Sequence, residues 1–327
     1  MSMNIEKATK LLKAGRAAKR SVFFWGPPGI GKSDAVKQAA KDDNVPVIDI
    51  RLSQLDPVDL RGVPYVNDGV TYWATPSFLP TAGAGYLFFD EANSAPQSVQ
   101  AAAYQLVLDR KLGDYNVPDG WSVAMAGNRQ EDKAIVHRMS SALANRLIHI
   151  EMEHPDFNEW CNWAVDNKIH TDILGFLRFK SALLFDFNTN SKANPTPRSW
   201  HILSDMLYQN VDRDVEWDLI RGTVGDGAAT EYLAYAKVAR QLPHPDTILM
   251  DPKGAPVPKD PAALYALSGA LAARASEQNI ERLCEYLNRI PADFQVLTMK
   301  DSVRRTRGIA TTRSFNEWAS KNASVLT

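Results

Sequence analysis

The sequence has few cysteines and no long hydrophobic run. Its two cysteines, Cys161 and Cys284, lie far apart without C-x-x-C spacing, so neither a zinc site nor a disulfide framework is predicted. No apolar stretch approaches the roughly 18 residues that cross a bilayer, and the first twenty residues lack the apolar core of a signal peptide. We therefore expect a protein of the reducing cytoplasm that has no membrane partner.

The sequence also lacks an excess of charge of either sign. Lys and Arg number 37 against 38 Asp and Glu, a formal net charge of −1. Overall attraction to nucleic acid is therefore absent, and such a partner would need a local basic patch. The hydrophobic content of 45% is typical of folded proteins and excludes long disorder. At roughly 150 residues per domain, 327 residues correspond to about two domains.

Short β-rich runs alternate with helical segments only in the first half of the chain. Such alternation predicts an α/β domain with a parallel sheet and crossover helices. After about residue 153 helical periodicity dominates, for example at 230–242 and 276–290, and the proline-rich segment 243–261 is expected to be an extended loop. The β-rich runs are Ser21–Trp25, Val45–Leu52, Tyr86–Phe89, Trp121–Ala126 and Leu147–Glu151.

A phosphate-binding loop is predicted between the first β-rich run and the helix that follows it. Its residues fit the pattern G-x-x-x-x-G-K-[ST], whose glycines let the backbone wrap around a polyphosphate. Lys32 is expected to reach the β- and γ-phosphate oxygens, and Ser33 to bind Mg²⁺. The alternative is an ordinary Gly-Pro turn before a helix. The predicted ATP-binding residues are Gly26, Pro27, Pro28, Gly29, Ile30, Gly31, Lys32 and Ser33.

Two carboxylates and an amide follow later β-rich runs. Asp90 and Glu91 end the run that begins at Tyr86, at the edge of the sheet where ligands of open α/β sheets bind. We expect Asp90 to hold Mg²⁺ through water and Glu91 to polarise the attacking water. Alternatively this acidic pair caps the next helix, because 94–97 resembles a capping box. Asn128 ends another run and is predicted to orient the water or contact the γ-phosphate.

These motifs together resemble an AAA+ ATPase. The segments Asp59–Pro64, Trp73–Pro80 and Leu87–Asn93 together are similar to the MoxR-like and dynein-related branch of that family. The resemblance covers about residues 20–207. It implies a P-loop α/β domain at 1–152 with a five-stranded parallel sheet in the order 5-1-4-3-2 and a hairpin insertion at 53–80. It also implies a helical lid at 153–210 and a homo-oligomer, a hexameric ring with ATP between neighbours. A helical extension at 211–327 is predicted from the residues themselves, because Asp260 and Pro261 suit the N-cap and first position of a helix and apolar residues recur at helical spacing from Ile280 to Ile290.

The resemblance assigns two further arginines to catalysis. Arg146 resembles the arginine finger that reaches the ATP of the adjacent subunit, although the branch usually has Asp-Arg-Phe where this chain has Asn-Arg-Leu. Arg138 and Arg129 are rival candidates. Arg198 follows a predicted N-cap threonine and proline, where a cation opposes the helix dipole, and it resembles the lid arginine called sensor 2. The alternative for both Arg146 and Arg198 is a solvated surface arginine.

Two classes of function remain after this comparison. The first is a MoxR-like ATPase that remodels or activates a protein partner, in this family often one with a von Willebrand A domain. The second is a nucleic-acid motor or the nucleotide-hydrolysing subunit of a restriction-type complex. Nucleic acid is left open but not indicated, because no recognition module is present. The basic tail at 300–327 could bind nucleic acid, but a solvated helix face or a contact between subunits of the ring is the preferred explanation. The aromatic residues of a hairpin near 65–73 could grip a target, but cross-strand packing is the commoner explanation.

Overall fold

Five parallel strands form the central sheet of the first half of the chain. The computed structural model describes residues 3–129, 139, 144–209 and 211–322, and the chain divides into two units, Met1–Pro155 and Asp156–Thr327. The strands of the first unit are β1 Val22–Trp25, β2 Val47–Arg51, β3 Val63–Asn67, β4 Val70–Ala74, β5 Ala84–Asp90, β6 Lys111–Leu112, β7 Tyr115–Asn116, β8 Gly120–Gly127 and β9 Ile148–Glu151.

The central sheet has the order β2-β5-β8-β1-β9. If these five strands are numbered 1 to 5 along the chain and the sheet is read from β9, the order is 5-1-4-3-2, as predicted. Every neighbouring pair is parallel. The middle strands β5, β8 and β1 carry the phosphate loop and the predicted polar residues at their carboxyl ends. Because parallel strands end at one edge of a sheet, this order brings those residues together. The predicted α/β fold class is confirmed.

The helices of the first unit flank this sheet. Among the residues that the structure describes, the complete α-helices of this unit are α1 Ile5–Ala17, α2 Lys32–Asp43, α3 Pro57–Arg61 and α4 Gln97–Asp109. The α1 helix begins after Asn4, whose side chain accepts a hydrogen bond from the backbone N–H of Lys7, and it packs through the buried Ala8 and Leu12. Leu11 of the same helix is 38% exposed.

The predicted capping role of the 94–97 segment is wrong. The α4 helix begins at Gln97, and its N-cap residue is Pro96, which has no side chain to accept a hydrogen bond from the first turn. Asp90 and Glu91 are separated from this N-terminus by several residues and do not cap it. Their carboxylates are engaged with other groups, described below, so the capping interpretation does not account for them.

The predicted hairpin insertion is present as β3 and β4. The two strands pair in antiparallel register across Asp68 and Gly69, which both have positive φ, +48° and +73°, as a tight two-residue hairpin turn requires. Tyr65 and Tyr72 lie opposite each other, and their rings stack with centroids 5.7 Å apart. The expected cross-strand packing of the aromatic side chains is therefore confirmed, although both tyrosines are exposed.

The secondary structure of the second unit consists of helices joined by loops throughout its described residues. Its helices are α5 Phe157–Asp166, α6 Thr171–Phe179, α7 Pro197–Leu207, α8 Arg213–Val224, α9 Asp226–Ala239, α10 Pro245–Met250, α11 Pro261–Arg274, α12 Ile280–Leu287, α13 Ala292–Arg305 and α14 Arg313–Lys321. Helix α11 begins as predicted, with Asp260 as N-cap and Pro261 in the first turn. The segment 243–261 is not wholly an extended loop, because α10 lies within it.

The hydrophobic core of the second unit crosses the predicted boundary at residue 210. Trp200 and Phe176, both fully buried, share one cluster with Tyr232 and Ala236 from the other side of that boundary. The separation of a lid at 153–210 from an extension at 211–327 therefore stays a prediction. None of the described helices is both long and apolar enough to cross a membrane.

The basic tail is packed against its own unit. Trp318 is 3% exposed and lies in a hydrophobic cluster, with Phe315 packed at its edge. Arg304 donates two hydrogen bonds of 2.6 Å to the Asp166 carboxylate, and Arg313 pairs with Glu317. The expectation that this segment is a solvated helix face or a contact between ring subunits, rather than a nucleic-acid site, stays a prediction.

Candidate functional site

The loop at residues 26–31 connects β1 to α2 and depends on its glycines. Gly26, Gly29 and Gly31 have φ values of +153°, +80° and +96°, which side chains rarely permit. A Cβ on Gly31 would also lie 2.7 Å from the Ile5 side chain. The α2 helix begins directly afterwards at Lys32, and the N–H groups of its first turn have no intrahelical acceptors. A loop of this kind before a helix N-terminus is an anion-binding arrangement.

Lys32 lies inside this loop. Its side chain is only 8% exposed, and its ammonium group donates hydrogen bonds to the carbonyl oxygens of Gly26 at 2.6 Å and Pro27 at 2.9 Å. A third bond of 3.1 Å goes to Oδ1 of Asn128, which ends the neighbouring strand β8. The structure thus brings the predicted amide to the predicted lysine, 96 residues apart in the sequence.

Ser33 and Asp90 form a second pair across the site. The Ser33 hydroxyl donates a 3.1 Å hydrogen bond to Oδ2 of Asp90, while Oδ1 of Asp90 accepts a 2.8 Å bond from the backbone N–H of Glu91. A hydroxyl and a carboxylate at hydrogen-bond distance are the kind of oxygen ligands that Mg²⁺ takes in phosphate sites. The donor set that was predicted for magnesium therefore fits that ion.

Glu91 is held by a residue that the sequence reasoning missed. Its backbone has a positive φ of +54°, uncommon for a residue with a side chain, and its Oε2 accepts a hydrogen bond from the hydroxyl of Ser53. Ser53 follows β2, the neighbour of β5 in the sheet. No sequence motif marks Ser53. It could have been suspected only from the strand order, which places the end of β2 beside the end of β5.

Asn93 is a second residue that the sequence reasoning missed. Its side chain is 2% exposed and bonds both backbone groups of Asn128, donating 2.7 Å from Nδ2 to the carbonyl and accepting 3.1 Å at Oδ1 from the N–H. Gly127 leaves room for this amide, because a Cβ there would lie 2.3 Å from Asn93 Oδ1. Asn93 therefore positions the amide residue that contacts Lys32.

Asp49 adds a third carboxyl group near the end of β5. Partial burial raises the pKa of the Asp49 carboxyl, and the negative charge of Asp90 raises it further, while Lys37 and Arg51 act in the opposite direction. Asp49 is on β2, in register with Phe88 two residues before Asp90. Asp49 therefore lies close enough to Asp90 for the two carboxyl groups to interact electrostatically.

Arg146 lies on a segment that is tied to the phosphate-loop strand. The Nε1–H of Trp25 at the end of β1 donates a 2.8 Å hydrogen bond to Nδ1 of His149, so the other ring nitrogen of His149 carries the proton and donates 2.8 Å to the carbonyl of Ala144. Arg146, two residues beyond Ala144, is exposed. Its assignment as arginine finger stays a prediction, and its rival Arg138 lies outside the described residues.

Arg198 lies in the second unit, in the first turn of α7. Thr196 is the N-cap, as predicted, and forms a reciprocal capping box with Ser199, through bonds of 3.1 Å and 2.8 Å. Pro197 occupies the first helical position. Arg198 itself is exposed, and its role as sensor 2 stays a prediction.

Comparison with known proteins identifies no family for the chain. No family model matches it, and no curated protein matches it. Among solved structures, it is similar to the Thermotoga maritima RuvB Holliday junction branch migration motor, with 17% identity, 82% of this chain and 80% of that chain covered and a TM-score of 0.40. It is also similar to Brucella abortus NtrX in complex with ADP, with 14% identity, 97% and 68% covered and a TM-score of 0.43. At identities and TM-scores this low, the matches carry no functional inference.

Proposed function

We propose that this chain is an ATPase that hydrolyses ATP with Mg²⁺. The observation that carries the proposal is the convergence of three separate segments on one point. Lys32 of the loop contacts Asn128 of β8, and Ser33 contacts Asp90 of β5. A helix-capping or ordinary turn function explains neither contact. A lysine, a hydroxyl, two carboxylates and an amide around an anion-binding loop are the groups that phosphoryl transfer to water requires.

Each residue has a distinct part in this reaction. The loop and the first turn of α2 bind the phosphates, and the Lys32 ammonium transfers its hydrogen bonds from the loop carbonyls to phosphate oxygens. Ser33 and Asp90 would hold Mg²⁺, which when bound neutralises charge that develops on the phosphates. Glu91, oriented by Ser53, polarises the attacking water. Asn128, oriented by Asn93, holds Lys32 on the side away from the loop carbonyls.

We further infer that the chain acts as a MoxR-like AAA+ ATPase, in an oligomeric ring that remodels or activates a protein partner. This finer assignment is supported by the hairpin insertion between β2 and β5 and by the motifs of the 59–80 segment, which resemble that branch. A von Willebrand A domain protein is one such client. A nucleic-acid motor is less well supported, because Arg304 of the basic tail is paired with Asp166 of its own unit and Trp318 of the tail is packed in the hydrophobic core.

Two substitutions separate binding from hydrolysis. Lys32→Ala is expected to abolish ATP binding, because the ammonium is the positive charge at the loop. Glu91→Gln is expected to keep binding and lose hydrolysis, because an amide cannot polarise water as a carboxylate does. Fluorescent-nucleotide binding and phosphate release measure the two effects. A Glu91→Gln protein that is folded but does not bind ATP contradicts the assignment, and Lys41→Gln, on the exposed side of α2, is the control.

The ring is tested by mixing two inactive variants. If Arg146 serves the ATP of a neighbour, Arg146→Ala keeps nucleotide affinity and loses hydrolysis by on the order of a thousandfold. Arg146→Ala and Lys32→Ala subunits, each inactive alone, should then regain some activity together, because some interfaces combine an intact lysine with an intact arginine. No recovery despite co-assembly, shown by affinity co-purification, excludes this role of Arg146.

The class of client is tested by stimulation of the ATPase. Hydrolysis rates measured with single- or double-stranded DNA and with a candidate von Willebrand A domain distinguish the two classes of function. We expect no change with DNA at physiological salt. A severalfold DNA stimulation that is lost in high salt would identify a nucleic-acid motor instead and leave the ATPase assignment intact.

A further inference from the structure

A cavity in the first unit has more cations than anions in its lining. It has a volume of about 440 Å³, within the range of small-ligand sites, and lies where α1 and α4 end and β8 begins. Ser21, which precedes β1, lines this cavity, whereas the phosphate loop follows β1 from Gly26. At roughly 3.3 Å per residue, the two sites are about 16 Å apart, at opposite edges of the sheet. The charged lining residues are Lys13, Arg16, Lys19, Arg20, Arg110, Asp43 and Asp119.

The two carboxylates do not balance the cations of the cavity. Asp43 accepts bonds from Lys13 at 2.9 Å, Arg16 at 2.8 Å and the Tyr86 hydroxyl at 2.7 Å. Burial alone would raise the pKa of Asp43, but these bonds lower it, so the carboxylate is ionised and is shared between two cations. Asp119 pairs only with Lys19, at 3.4 Å, among the described residues. Five cations against two anions leave a surplus of three positive charges in the lining, and Asp42, which lies outside the lining but 3.9 Å from Lys13, reduces it to two.

Two of the guanidinium groups are fixed in place by the start of β8. Arg110 donates from Nη2 to the carbonyls of Pro118 at 2.9 Å and Trp121 at 2.8 Å, and Arg16 donates to the carbonyl of Gly120 at 3.3 Å while its guanidinium lies over the Tyr86 ring. An arginine has five N–H donors, so both keep donors beyond these bonds. Such pre-positioned guanidiniums suit bidentate binding of phosphate.

Arg20 supplies the third guanidinium group. It is exposed at the cavity and forms no ion pair with the described residues, in contrast to Lys13, Arg16 and Lys19, which do. A structural role in joining α1 to the sheet therefore explains Arg16 but not Arg20. A ligand with several negative charges would satisfy Arg20 together with the remaining donors of Arg16 and Arg110.

We propose that this cationic cavity binds a small polyphosphate anion, at a site separate from the phosphate loop. The surplus charge exceeds what a single carboxylate would neutralise, and the concave shape suits a compact ligand rather than an extended strand. Inorganic polyphosphates and nucleoside polyphosphates share the chemistry that the cavity recognises, and the experiment distinguishes them.

The probe is inorganic tripolyphosphate, titrated into the full chain with Lys32→Ala to disable the phosphate loop. We expect one equivalent to bind, measured by calorimetry, and Ala17→Glu to weaken binding by about tenfold or more, because it places a carboxylate in the lining. Ala14→Glu is the matched control, since Ala14 is also exposed on α1 but does not line the cavity. Arg20→Gln is expected to weaken binding about tenfold, as the loss of one charge-assisted bond does.

Several outcomes would overturn the proposal. Absence of tripolyphosphate binding in the Lys32→Ala protein would leave the phosphate loop as the polyphosphate site. Equal effects of Ala17→Glu and Ala14→Glu would indicate nonspecific attraction, and binding of polyglutamate in preference to tripolyphosphate would indicate an acidic polypeptide. Two further outcomes support the proposal and identify the ligand. Competition by ATP or ADP with tripolyphosphate in the same Lys32→Ala protein would identify nucleotides as the natural ligands. If neither nucleotide competes, the inorganic anion is favoured.

Discussion

The packing of Asn93 against Gly127 gives a direct test of how the site is assembled. Asn93→Ala removes the two hydrogen bonds to the backbone of Asn128. At about 1 kcal/mol each, their loss should lower the free energy of unfolding by about 2 kcal/mol. Gly127→Ala should cost more, because its Cβ would lie 2.3 Å from Asn93 Oδ1 and 2.9 Å from Phe23. The steric cost of the added methyl group, about 2 kcal/mol, adds to the loss of the same two hydrogen bonds, so the free energy of unfolding should fall by about 4 kcal/mol.

The double variant distinguishes this explanation from two independent defects. With Asn93 already replaced by alanine, the two closest contacts of the methyl group introduced at position 127 are gone and that with Phe23 remains, and no further hydrogen bond is lost. We expect the double variant to be destabilised by about 3 kcal/mol, against about 6 kcal/mol if the two costs were additive. The difference is the coupling energy between positions 93 and 127.

Chemical denaturation of the full chain, followed by fluorescence, measures these free energies. Gly222→Ala is the control substitution, since a Cβ at this helical position meets no atom within 4 Å, and alanine there should stabilise the chain by up to about 1 kcal/mol. Additive costs in the double variant would refute the proposed contact. So would a Gly127→Ala protein as stable as the parent chain.

Three further predictions concern the site and the division of the chain. Ser53→Ala should leave ATP binding unchanged and lower kcat by on the order of tenfold, because Glu91 loses its hydroxyl partner. An equal change in KM and kcat would contradict a positioning role of Ser53. Asp49→Asn should raise Tm at pH 7 in the absence of Mg²⁺. The folded state holds the pKa of this carboxyl above its unfolded value, so ionisation of Asp49 destabilises the fold. The increase in Tm should vanish below about pH 3, where Asp49 is protonated in both the folded and the unfolded state. An increase in Tm that is constant with pH would refute this. A fragment of residues 1–155 should fold and resist proteolysis, whereas a fragment ending at 210 should be digested between 156 and 210, because Trp200 and Phe176 lose the core partners that follow residue 210.

Local sequence rules were enough to predict the strands of the central sheet and the chemistry of the phosphate loop. A Gly-rich loop between a strand and a helix allows few backbone paths, and glycine at positions with positive φ is a local requirement. The Asp68-Gly69 hairpin and the N-caps Thr196 and Asp260 follow from equally local rules. Each of these predictions depends on residues within a few positions of one another, which is why it could be made without the fold.

The distant residues that support the site could be found only in the folded chain. Ser53 and Asp49 carry no motif, and Asn93 was given no role. The importance of these residues comes from the strand order, which sets the ends of β2, β5 and β8 side by side. The same holds for the cationic cavity, which forms only where α1, α4 and β8 converge. Helix boundaries such as Pro96 and the core that joins Trp200 to Tyr232 were also outside local reasoning. Contacts between segments far apart in the chain depend on the path of the whole backbone, and no local pattern encodes that path.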